Sequence, residues 1–99
     1  MAKLTVNYEK GLIEDLKNPE EAAAYLNAAL EEGSQEMFLM ALRDVAKARG
    51  ISGVAKQASL NRENLYRILS ENGNPQLSNL ASILKTMGLK LSVEVERVA

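Results

Sequence analysis

Neither cysteine nor histidine occurs in this 99-residue chain. Without cysteine there is no disulfide framework, which fits a reducing, cytoplasmic setting. Losing both residue types removes the usual zinc ligands and the commonest general base, so no metal and no cofactor are expected. No glycine-rich phosphate loop or nucleophile elbow replaces them, and the chain does not read as an enzyme. No stretch approaches the ~20 apolar residues of a membrane span. The first residues, MAKLTVNYEKG, lack the apolar region of an export signal.

What is present fits one globular domain. The apolar fraction is 46%, ordinary for a packed core, and the length suits a single core over residues 1–99. A net charge of −1 hides an uneven distribution. Residues 1–36 carry three bases and eight acids, whereas residues 37–99 carry nine bases and five acids. A polyanion responds to the local field, so the C-terminal two-thirds is the candidate face for nucleic acid.

Along the chain, Leu4, Val6 and Tyr8 alternate with polar residues and suggest a short strand. Leu12, Ile13 and Leu16 suggest a helical turn or two ending at Asn18. Asn18-Pro19-Glu20-Glu21 is a strong helix start, with a capping side chain followed by Pro at the first helical position. Ala22, Tyr25, Leu26, Ala29 and Leu30 follow at helical spacing, and Gly33 ends that helix. Ser34 can cap the next one, Gln35–Arg49, whose apolar stripe is Phe38, Leu39, Leu42, Val45 and Ala46. Further helices are expected at Ser52–Ala58, Arg62–Asn72 and about Leu77–Met87. Gly73-Asn74-Pro75 breaks the chain before the last, whose core stripe reads as Leu77, Leu80, Ala81, Leu84 and Met87. After Gly88 the period changes to two: Leu89, Leu91, Val93 and Val95 alternate with Lys90, Ser92, Glu94 and Glu96, as in a strand. Such a strand needs a partner, in Leu4–Tyr8, in a second copy or in another protein.

The most informative stretch is Ser52–Asn72. Two short helices flank a break at Ser59-Leu60-Asn61, and Ala55 is small enough for a close crossing. On the second helix Leu65, Ile68 and Leu69 share one face, while Arg62, Glu63, Tyr66 and Arg67 share the other. A short helix held from behind, with polar side chains near its start, is how a helix-turn-helix reads the major groove. Arg62 and Arg67 suit the O6 and N7 of guanine, Asn64 suits adenine, and Glu63 can accept from cytosine N4. Asn61 reads first as a helix cap. Ser52, Lys56 and Gln57 are candidate phosphate contacts, with Arg43, Lys47 and Arg49 flanking them. Plainer readings exist for the same residues. Arg67 can bridge Glu63 at the i,i+4 spacing, and Tyr66 can pack at the core edge.

At these residues the chain resembles the lambda-repressor-like, Cro/Xre-type helix-turn-helix superfamily. The matching elements are Ala55, the turn at Ser59 and readers beginning at Arg62. Ser59 stands where that superfamily usually has Gly, and its usual Gln near the start of the first helix of the pair is absent. A resemblance covering nearly the whole chain is to the probable addiction-module antidote family, often described as HigA-like. It rests on LKNPEEAAAYLNAALEEG, FLMALRDVAKARG and LNRENLYRILSENGNPQLSNLASILKTMGLKLSV. The resemblance implies a small antitoxin of a type II toxin–antitoxin module that binds its own operator as a homodimer. Its implied partner is a RelE/HigB-like ribonuclease toxin encoded nearby. The expected architecture is mainly α: a five-to-six-helix, lambda-repressor-like domain with an N-terminal extension (1–33), a helix-turn-helix core (34–88) and a C-terminal strand (89–99). A stand-alone or phage-derived regulator, and an interaction protein that no longer binds DNA, are the alternatives.

Overall fold

A computed structural model describes residues 10–70 and 72–97, which form six helices. These are α1 (10–16), α2 (Pro19–Glu31), α3 (Gln35–Arg49), α4 (Ile51–Gln57), α5 (Arg62–Ile68) and α6 (Leu77–Thr86). The strand expected at Leu4–Tyr8 lies outside the described residues.

The helix starts follow from short polar side chains. Asn18 Oδ1 accepts the Glu20 N–H at 2.8 Å, with Pro19 next to it in the first turn. Ser34 Oγ accepts the Met37 N–H at 3.2 Å, and Asn61 Oδ1 accepts the Asn64 N–H at 2.7 Å. Each bond satisfies a donor that the first helical turn leaves unpaired. Between α3 and α4 the chain turns at a single residue, Gly50, whose φ of 101° is closed to most side chains.

Behind these caps lies one apolar cluster. Leu16 of α1 and Ala22, Leu26 and Ala29 of α2 belong to the same buried group as Leu42, Val45 and Leu65. The N-terminal helices therefore share the core of the rest of the chain. Helix α2 packs on α3, while α4 touches α3, α5 and α6. Ala55, only 3% exposed, sits in that central helix, where a larger side chain would push neighbouring helices apart. No polar or charged side chain is buried among the described residues, so burial of hydrocarbon holds the fold, at about 1.5–3 kcal/mol per large side chain.

Polar ties between elements lie at the edge of the core. Tyr25 Oη donates to Asp44 Oδ2 at 2.7 Å, joining α2 to α3. Gln35 Nε2 donates to the Gly73 carbonyl at 2.8 Å, joining the start of α3 to the loop after α5. Arg49 Nη2 donates to the Met87 carbonyl at 2.9 Å, placing a cation at the end of α6.

Three expectations require correction. The α5 helix ends at Ile68 rather than Asn72. Ser70 Oγ donates to the Arg67 carbonyl at 2.8 Å, and the Ser70 N–H donates to the same carbonyl at 3.2 Å, so a side chain and a tighter turn replace helix continuation. In α6 the buried face holds Ile83 and Leu84 and runs on to Met87, whereas Leu77 is 71% exposed and Ala81 faces solvent. The stripe is thus displaced toward the C-terminal end, because no described residue covers Leu77 in the first turn. Finally, residues 89–97 form no strand. Their alternation is real, but no described strand lies beside them to complete a ladder, and period-two side chains alone do not make a sheet.

Candidate nucleic-acid interface

The α4–α5 pair owes its angle to the way α4 ends. The Leu60 N–H donates to the Ala55 carbonyl at 2.8 Å, and the Ser59 N–H to the Lys56 carbonyl at 3.2 Å. That bonding is a Schellman motif, which requires a left-handed residue just past the helix. Ser59 takes this role with φ of 60°, the one described non-glycine residue at positive φ. The same motif ends α6, where Gly88 has φ of 75° and the Leu89 N–H donates to the Leu84 carbonyl at 2.9 Å. The chain therefore makes one turn type twice, once with glycine and once with serine. Serine at this backbone conformation costs ~1–2 kcal/mol in strain.

After four connecting residues α5 begins. Leu65 and Leu69 are 0% exposed and fasten it from behind. The opposite face presents Arg62, Glu63, Tyr66 and Arg67, all exposed, with Tyr66 at 39%. Tyr66 thus stands outward, and the Arg62 guanidinium lies 5.8 Å from its ring centroid, within cation–π range. Such a contact holds the arginine's long side chain near one orientation. Asn61 is engaged as the cap of α5.

Arg67 does not bridge Glu63. Its Nη2 donates to Asn64 Oδ1, and the ion pair seen among the described residues is Lys17–Glu14. The bond to Arg67 has a chemical consequence for Asn64. An asparagine reading adenine accepts through Oδ1 and donates through Nδ2, so half-buried Asn64 must either share its Oδ1 between Arg67 and the base, using both lone pairs, or release Arg67. Arg67 and Asn64 consequently compete or act together, not independently.

Ser52, Lys56 and Gln57 of α4 are all exposed. Among the flanking cations, Lys47 is exposed and Arg43 is half-buried, while Arg49 is already committed to the end of α6. Sequence reading did not find this last bond, because nothing local marks two residues 38 positions apart. The described residues contain no cluster of metal-ligating side chains and no helix long and apolar enough to cross a membrane.

Fold and surface together define a small, mainly helical domain that presents one short polar helix outward from an apolar core. Residues 8–95 match the family described as "Probable addiction module antidote protein", and the chain belongs to that family. A protein of Haemophilus influenzae described as uncharacterized is 40% identical over 86 residues, covering 87% of this chain and 89% of the relative. No solved structure matches.

Proposed function

We propose that the protein is the antidote of a type II toxin–antitoxin module and represses its own operon by binding the operator through α5. The observation that carries the DNA reading is the outward set Arg62, Glu63, Tyr66 and Arg67 on a seven-residue helix fastened by fully buried Leu65 and Leu69. In this lambda-repressor-like arrangement α5 enters the major groove, and Ser52, Lys56 and Gln57 set its register on phosphates. Two copies related by a two-fold axis would present their α5 helices to half-sites about one helical turn apart, ~34 Å. Membership of the antidote family supports the toxin half of the reading. The partner is a basic RelE/HigB-like ribonuclease, and the acidic N-terminal third, with eight acids against three bases, offers it a complementary surface. Operator binding places the protein in the cytoplasm.

Titration with the DNA immediately upstream of its own gene, repeated across salt concentrations, tests the first half. The expected result is tighter binding than to scrambled DNA, with affinity falling steeply as salt rises. Absence of binding even at low salt contradicts it. Co-expression with the adjoining gene tests the second half: a co-purifying complex is expected, and two products that never associate would leave a regulator without a toxin.

A further inference from the structure

Beyond Gly88 the chain carries a strand-like alternation that forms no strand among the described residues. Leu89 is the last residue tied by a backbone hydrogen bond, its N–H donating to Leu84. None of the backbone groups of residues 90–97 bonds to another described residue. Val93 is 98% exposed, Val95 84% and Leu91 43%. Three apolar side chains on alternate residues, beside a row of unpaired donors and acceptors, form an edge of the kind that folded proteins normally cover. Leu91 also lines the apolar groove beside Leu30 and Phe38. The apolar face of this segment therefore starts on the core and continues outward through Val93 and Val95.

The charges on the other face identify the occupant. A partner strand has to offer an acid opposite Lys90, a base opposite Glu96 and apolar residues opposite Leu91, Val93 and Val95. Turned antiparallel about Val93, the segment offers all of these itself. Residue 90 then meets 96, 91 meets 95, and Val93 meets its own copy. Opposed residues in an antiparallel pair point to the same face, so a two-fold axis must pass through a residue for the apolar faces to coincide. An axis through Glu94 sets that carboxylate against its copy. An axis through Ser92 also sets Lys90 against an acid, Glu94, and Leu89 against Val95, but it leaves Glu96 opposite Gly88 and pairs only residues 89–95. The axis through Val93 sets Arg97 opposite Leu89, but it pairs all nine residues from 89 to 97 and engages both Lys90 and Glu96.

We infer that residues 89–97 form an antiparallel strand pair with a second copy of this chain, centred on Val93 and closed by two Lys90–Glu96 pairs. This supplies the seam of the two-fold dimer in the operator reading above and rests on that reading only for the number of copies. It accounts for a strand-like sequence that has no ladder among the described residues.

The test is the association state of the full chain, measured without DNA by sedimentation or light scattering. Wild type is expected to be a dimer at micromolar concentration. Val93→Glu, which replaces a side chain already in solvent, is expected to give a monomer with unchanged helix content. Lys90→Glu and Glu96→Lys are each expected to weaken the dimer on the order of tenfold, since two opposite-charge pairs become two like-charge pairs. Mixing these two variants restores wild-type affinity, because each then carries the charges the other lacks. A wild-type chain that stays monomeric up to about 100 µM, a dimer indifferent to Val93→Glu, or a mixture no tighter than its parents overturns the proposal. A monomer that pairs through this segment only with the adjoining gene's product also overturns it. None of these outcomes depends on operator affinity, so the tail pairing and the DNA reading fail separately.

Discussion

Replacing Gly73 by alanine should be among the most damaging single-methyl changes available in this protein. An ideal Cβ on Gly73 would lie 2.2 Å from the Ile68 carbonyl oxygen and 2.9 Å from that of Ser70. An ordinary carbon–oxygen contact is about 3.3 Å or more, so the backbone must open by roughly 1 Å. Both obstacles are main-chain atoms and cannot swing aside. Opening this loop also strains the Gly73 N–H bond to Ser70 and the Gln35 side-chain bond to the Gly73 carbonyl, both 2.8 Å. Overpacking strain of about 1–3 kcal/mol plus about 1 kcal/mol for each of the two weakened hydrogen bonds gives a loss of roughly 3–5 kcal/mol. For a domain of this size each kcal/mol moves the midpoint by about 4–8 °C, so Tm should fall by at least about 12 °C. Gly53→Ala is the control: outside its own stretch of helix no atom lies within 4 Å of its Cβ, and the helical position should gain about 0.5–1 kcal/mol. Thermal unfolding followed by circular dichroism reads both. Equal effects from the two substitutions, or a Gly73→Ala midpoint within about 3 °C of wild type, would refute the steric argument.

Ser59→Gly should be neutral or stabilising by up to about 1 kcal/mol, because relief of left-handed strain is partly offset by glycine's greater freedom in the unfolded chain; urea unfolding reads the difference, and a clear loss would contradict it. Asn61→Ala should cost about 1 kcal/mol by removing the cap of α5, seen as an earlier urea midpoint. Ala55→Leu, at a position 3% exposed, should cost about 1–3 kcal/mol through overpacking and lower the thermal midpoint. Arg49→Ala should loosen the end of α6 by about 1–2 kcal/mol, roughly one charge-assisted hydrogen bond, with faster amide exchange near Met87 as the readout.

Local chemistry made much of this architecture readable. Asn18, Ser34 and Asn61 each announce a helix start through a bond to a residue two or three positions on, and all three starts lie where the sequence places them. The outward face of α5 was legible for a similar reason, since Leu65 and Leu69 sit one helical turn apart. Features that depend on distant neighbours were not legible. Gln35 with Gly73, and Arg49 with Met87, are each separated by 38 positions. In α6, helical spacing alone does not reveal that the first turn extends past its cover, so Leu77 reads as core and Ile83 is missed. Residues 89–97 show the opposite limit: their alternation is unmistakable, but a strand also needs a partner, and one sequence does not name it.

The central claim is that α5 reads DNA sequence through Arg62 and Arg67, and selection from a randomised DNA pool tests it most directly. Wild type, Arg62→Ala and Arg67→Ala would each be used to recover preferred sites from one library. Wild type should select a palindromic sequence, and each variant should show relaxed preference at the base pair its arginine contacts. The loss of discrimination should be about 1–3 kcal/mol per lost bidentate contact, with non-specific affinity largely retained. Identical site preferences for all three proteins would contradict it.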